Sequence, residues 1–244
     1  MNKYTAPCGK RFGMRKLLCF AHRGASGHAP ENTLLSVERA LLLGTDWIEV
    51  DVYAVRGKLI VIHDERLEST TNGSGSIFES SIDNIRSVDA GQGQYVPYLH
   101  EIFDRVNGKA GINVELKGNG AADMAVPLIN GYMMHPEWSH EKVLVSSFNH
   151  TELMRVREVA PRIRIGVLVK TLPHDWTRVV EELGAYSIHC RADAIHEIFV
   201  QEAHMRGLKI FVYTVNSLRV ASLLKHIKVD GIFTDYPEII TQQN

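Results

Sequence analysis

Three cysteines in 244 residues (Cys8, Cys19 and Cys190) are too few and too scattered for a disulfide framework. They also lack the paired spacing of a zinc site, so reduced, mostly buried thiols in a cytoplasmic protein are the expectation. No apolar run approaches the roughly 18 residues of a membrane span. Leu17–Ala21 follows Arg15-Lys16 in the manner of a short signal segment, but it runs into polar residues instead of a cleavage site and reads as a buried first strand. A marked excess of either charge is missing too: 27 basic and 28 acidic side chains leave a formal net charge of -1. With no global positive field, nucleic acid is not an expected partner and anion recognition must be local. No amphipathic stretch with a basic face stands out either, which argues against stable membrane association. No internal period points to a solenoid.

What is present is an ordinary globular composition, 45% hydrophobic and 23% charged, in a chain long enough to bury a core without staples. Short β-branched or apolar runs alternate with helical patterns. The predicted strands are Leu17–Ala21, Trp47–Asp51, Gly111–Leu116, Lys142–Ser146, Ile163–Leu168, Ala185–His189, Leu208–Tyr213 and Gly231–Thr234. Helical spacing between them, as in Glu31–Leu43 and Asn149–Val159, makes a (β/α)8 TIM-type barrel the expected α/β fold. Residues 17–240 read as one barrel domain behind an N-terminal extension, 1–16.

Two segments break the rhythm. Lys58–His63 follows Val50–Val55 with only Arg56-Gly57 between, too short for a parallel crossover. An antiparallel excursion turning at Arg56-Gly57 would bring His63 back beside Val50, between Glu49 and Asp51. Residues 64–100, rich in turn residues around Asn72–Gly75 and Gly91–Gly93, are too long for an ordinary loop and suggest a small inserted cap.

Side chains at the C-terminal ends of barrel strands face the reaction site, and here those ends are polar. Glu49 and Asp51 share one face of a strand, as do Glu115 and Lys117, while His22-Arg23 and His63-Asp64 end two others. Carboxylates so placed either pair with Arg and Lys or hold a cation. Three of them, all oxygen donors, suit one divalent ion, Mg2+ or Ca2+, with Mn2+ a third option. His22 and His63 beside it would suit proton transfer, although structural roles are the common fate of histidines. Arg23 and Lys117 would meet an anionic substrate or pair with the carboxylates. His189, ending another strand, is a weaker candidate for substrate contact. The other histidines fall mostly in helical or loop stretches and read as surface or packing.

The string His22-Arg23-Gly24-Ala25-Ser26-Gly27-His28-Ala29-Pro30-Glu31-Asn32-Thr33 resembles the opening motif of the glycerophosphodiester phosphodiesterase family. Glu49-Val50-Asp51, His63-Asp64, Glu115-Leu116-Lys117, Tyr213-Thr214-Val215-Asn216 and Gly231–Asp235 follow in the family's order. The resemblance implies a barrel that splits small-molecule glycerophosphodiesters into sn-glycerol 3-phosphate and an alcohol. It further implies Glu49, Asp51 and Glu115 as metal ligands, His22 and His63 as the acid–base pair, and Arg23 and Lys117 as phosphate contacts. Tyr213 stands where many members carry Trp, which bears on substrate preference more than on activity. Pro30–Thr33 reads either as a helix start or as a substrate contact. Two rival readings are a phospholipase acting on lipid diesters and a silent phosphometabolite-binding barrel. The second is disfavoured because no histidine or ligand is missing. Nothing in the sequence sets the number of subunits.

Overall fold

The structure is a computed structural model and describes residues 16–242. The extension expected over residues 1–16 therefore lies outside the described residues, except for Lys16, which pairs with Asp46 at 2.6 Å. In chain order the strands are β1 (Leu18–Ala21), β2 (Trp47–Val55), β3 (Lys58–Val61), β4 (Gly111–Lys117), β5 (Val143–Ser147), β6 (Arg164–Val169), β7 (Ser187–Arg191), β8 (Lys209–Tyr213) and β9 (Gly231–Thr234). The helices are α1 (Leu34–Leu42), α2 (Ile82–Ser87), α3 (Leu99–Val106), α4 (Ala121–Tyr132), α5 (His150–Val159), α6 (Trp176–Leu183), α7 (Glu197–Met205), α8 (Leu218–His226) and α9 (Glu238–Thr241). No described helix is long and apolar enough to cross a membrane.

Eight strands run β1-β9-β8-β7-β6-β5-β4-β2, and the β1–β2 pairing closes the ring. Neighbouring barrel strands are parallel, so each is buried on both faces and reads as a short apolar run. One face packs Val, Ile and Leu against the helices. The other fills the barrel with rings: Phe20 lies 5.4 Å from Trp47, 4.6 Å from Phe211 and 4.7 Å from Phe233 by centroid. Gly111 leaves space for Trp47, since a Cβ there would sit 2.5 Å from the indole. Truncating the fully buried Phe20 to Ala would cost about 3–5 kcal/mol.

The excursion forms as expected. Arg56 (φ 47°) and Gly57 (φ 75°) make a two-residue turn with both residues left-handed, joining β2 to antiparallel β3. Helix α1 starts three residues later than the expected Glu31. Asn32 takes a left-handed φ of 56°, and Thr33 caps the helix in a reciprocal box with Ser36. The stretch after β3 packs Ile62, Leu67, Ile77, Ile85 and Val96 into a small cluster of its own against Tyr53 and Val55. It flanks the C-terminal rim of the barrel, where Phe78 meets Tyr53 edge-on.

Candidate active site

Parallel register sets the centre of the site. Asp51 is the partner of Glu115, and Glu49 the partner of Asn113, on the paired strands β2 and β4. Period-two alternation points Glu49, Asp51 and Glu115 inward, and one ligand oxygen from each lies within 4.8 Å of the others. A cavity of about 230 Å3 opens here, lined by His22, Arg23, Glu49, His63, Glu115 and Lys117 and by Phe148, Tyr213 and Thr214. Asp51 is buried behind these residues and outside the lining itself. None of residues 64–98 lines the cavity.

The loop after β1 is shaped around Glu49. Arg23 adopts φ 55° and Gly24 φ 78°, and this tight turn lets the Arg23 N–H donate to Glu49 Oε2 at 2.8 Å. A side chain at Gly24 would collide with Ser36, Cβ to Oγ 2.3 Å. The motif that follows braces the neighbours. Glu31 Oε1 accepts from Arg23 Nη1 at 2.9 Å. Asn32 clamps Asp51, donating from Nδ2 to Oδ2 at 2.9 Å and accepting the Asp51 N–H at 3.1 Å. The Pro30–Thr33 segment thus starts the helix through Thr33 and steadies the acidic centre through Glu31 and Asn32.

Of the two fates weighed for the carboxylates, pairing with the bases is only partial. Lys117 Nζ lies 3.0 Å from Glu115 and 3.5 Å from Asp51. Arg23 Nε is 3.3 Å from Asp51 Oδ2, close enough to attract but not aligned for a hydrogen bond. Yet Glu49 Oε1 is buried without a partner among the described residues, and three acids face only two bases. Burial, then repulsion from Asp51 and Glu115, pushes Glu49 well above the usual carboxylate range. Glu115 is pushed up to about 7, by burial and then by Asp51. Burial alone would lower Lys117, but Glu115 and Asp51 outweigh it and hold the ammonium above its ordinary value. An all-oxygen cluster with an orphaned carboxylate oxygen fits a hard divalent cation.

The two histidines enter the cavity from different strand ends. His22 Nδ1 hydrogen-bonds to Asp235 at 2.7 Å. His63 continues the β2–β3 register past the bond from Ile62 N–H to Asp51 O. Burial lowers its pKa, partly opposed by Asp51. Its Nδ1 lies 3.1 Å from Asp64 without a hydrogen bond. Tyr213 Oη donates to Val169 O at 2.9 Å, which fixes the ring as a wall edge-on to Phe148. Sequence assigns Asp235 no role and offers Glu31 and Asn32 only a helix start or a substrate contact, although all three stand in quoted motif strings.

The Glycerophosphoryl diester phosphodiesterase family matches residues 22–239. A glycerophosphodiester phosphodiesterase of Caldanaerobacter subterraneus subsp. tengcongensis is 35% identical, over 92% of this chain and 96% of its own. One from Bacillus subtilis is 32% identical, over 96% of this chain and 89% of its own. Among solved structures, an Oleispira antarctica phosphodiesterase in complex with the product sn-glycerol-3-phosphate superposes with a TM-score of 0.84 at 29% identity, covering 92% of this chain and 95% of the other. With a match that runs from the end of the first barrel strand into the last helix, this chain belongs to the glycerophosphoryl diester phosphodiesterase family and is an enzyme of that class.

Proposed function

We infer that the protein hydrolyses glycerophosphodiesters to sn-glycerol 3-phosphate and an alcohol, with Glu49, Asp51 and Glu115 holding one divalent cation and His22 and His63 moving protons. The observation that carries this reading is the meeting, in one cavity, of an overcrowded acidic triad with two histidines and two bases. Mg2+, Ca2+ or Mn2+ bound by the triad would supply Lewis-acid polarisation of a phosphoryl oxygen.

The chain's own side chains account for the rest. Arg23 and Lys117 face the cavity as fixed positive charges and offset the charge that grows on the transferred phosphoryl group. Asp235 engages His22 Nδ1, which leaves Nε2 as the nitrogen that exchanges a proton with the reacting groups. His63, whose pKa burial lowers, is the second exchange site. One ring takes the proton of the attacking hydroxyl and the other returns one to the departing alkoxide, so the P–O bond breaks without releasing a strong base. Tyr213 and Phe148 line the same cavity and bound the space for the alcohol.

The test is release of sn-glycerol 3-phosphate from glycerophosphocholine and glycerophosphoethanolamine, with chelator and with Mg2+, Ca2+ or Mn2+ restored separately. Chelator-sensitive release supports the reading. A folded sample that releases nothing with any of the three cations sinks it.

A further inference from the structure

Beside its charged groups the cavity is lined by two uncharged polar side chains, Asn113 and His189, which belong to a buried polar cluster. Asn113 on β4, Ser146 on β5, and Ser187 and His189 on β7 are all at most 1% exposed, where a barrel interior is ordinarily apolar. Part of this layer satisfies itself. Asn113 Nδ2 donates to Ser146 Oγ at 3.0 Å, and His189 Nε2 pairs with Ser187 Oγ at 2.9 Å.

Two atoms are left over. Asn113 Oδ1 and His189 Nδ1 are buried with no partner among the described residues, and both residues line the cavity. A buried polar atom without a partner is destabilising, so two of them in residues that line a cavity point to a group supplied from outside the chain.

The fold makes room for His189 specifically. A Cβ at Gly166 on β6 would lie 2.4 Å from its Nε2, so the neighbouring strand gives up a side chain to admit the ring. Phe211 and Phe233 flank the imidazole at centroid distances of 5.3 and 5.1 Å. Burial pushes its pKa down to about 3, so the ring is neutral at working pH.

We propose that Asn113 and His189 form a hydroxyl-recognising floor, which binds a neutral alcohol group of the substrate's glycerol moiety while the phosphate is held by Arg23 and Lys117. The proposal rests on the glycerophosphodiester reading above. Ligand chemistry narrows the choice. A carboxamide oxygen only accepts, so it repels a phosphate oxygen and finds no proton on a quaternary ammonium. A hydroxyl both donates and accepts, so it gives its proton to Asn113 Oδ1 and accepts from His189 Nδ1–H, the tautomer in which Nε2 accepts from Ser187 Oγ.

The test compares affinities for sn-glycerol 3-phosphate and ethyl phosphate, which carries the same phosphate and no hydroxyl, by calorimetry in Mg2+. In His189→Leu the ratio of the two affinities is expected to fall about tenfold, the scale of one lost hydrogen bond. A ratio that stays at the wild-type value, because both affinities fall alike or neither changes, overturns the floor. If the leucine variant does not fold, His189→Asn is read on the same ratio. Wild-type protein is assayed alongside for release of sn-glycerol 3-phosphate from glycerophosphocholine. No release fails the functional reading and the floor with it, whereas release with an unmoved ratio fails the floor alone.

Discussion

His22 Nδ1 lies 2.7 Å from Asp235 Oδ1, tying the residue after the first barrel strand to the residue after the last. The contact exists because β1 and β9 are parallel partners, a register that continues with His22 N–H donating to Thr234 O at 2.9 Å. Asp235 also accepts from Ser26 Oγ at 2.8 Å and from Asn216 Nδ2. Burial would raise its pKa, but His22, Asn216 and Ser26 outweigh it and hold the carboxyl down at about 2. It is therefore an anion at any working pH, and it sets the proton of His22 on Nδ1.

Replacing that anion by an isosteric amide should damage turnover more than binding. In Asp235→Asn the amide can donate to Nδ1 and reverse the tautomer, taking the basic lone pair from Nε2. The expected loss in kcat is about 10²-fold or more, the scale of a misplaced acid–base group, with KM within a few-fold of wild type. Steady-state kinetics between pH 5 and 9 check this. A change confined to KM would show that Asp235 serves binding instead.

The thiols of Cys19 and Cys190 should be inert in the native protein. Both are buried and free, and burial pushes each up to about 12. At pH 8 the thiolate fraction is then about one in ten thousand. In a Cys8→Ser background, Ellman's reagent should label neither cysteine under native conditions and both in guanidinium. Rapid native labelling would mean that β1 or β7 opens far more readily than its burial implies.

Much of this architecture is legible in sequence because parallel barrel strands, buried on both faces, appear as short apolar runs with polar ends. The same logic exposes Glu49, Asp51 and Glu115, three acids at strand ends with no apolar reason to be there. The hairpin is legible because Arg56-Gly57 leaves no length for a helix. Asn32 and Asp235 are not. Asn32 reaches Asp51 from a left-handed residue just ahead of α1, and Asp235 depends on closure of the barrel. No local periodicity encodes either contact. The displaced start of α1 has the same origin, since helical spacing extends through Glu31 and only the backbone turn at Asn32 ends it.

Gly24 should tolerate no side chain. Its φ of 78° disfavours L residues, and an added Cβ would come within 2.6 Å of the Ser36 backbone carbon. The left-handed cost of about 1–2 kcal/mol and the overpacking cost of about 1–3 kcal/mol together predict a loss of roughly 2–5 kcal/mol in Gly24→Ala. Urea unfolding measures it. A loss below about 0.5 kcal/mol would mean that the loop relaxes away from α1. Because the preceding Arg23 N–H holds Glu49 Oε2, activity should fall along with stability.

The acidic triad should make the cation-free protein less stable as pH rises. Glu115 is raised from its ordinary 4.5 to about 7, and Glu49 is raised with it. Below about pH 4.5 folded and unfolded chains both hold these protons. Between about 4.5 and 7 the folded chain holds more, so the triad's contribution to stability declines across that window as pH increases. Glu115→Gln removes one of the repelling charges, and at pH 8 in chelator it should melt a few degrees above wild type. Adding Mg2+ or Ca2+ at about 100 times its dissociation constant should raise the wild-type Tm by about 5–10 °C and the variant's by much less. Differential scanning fluorimetry with and without chelator reads both effects. Equal cation-induced shifts in the two proteins would place the cation elsewhere, whereas the crossed pattern, a higher cation-free Tm with a smaller cation response, is what a ligand carboxylate held under repulsion produces.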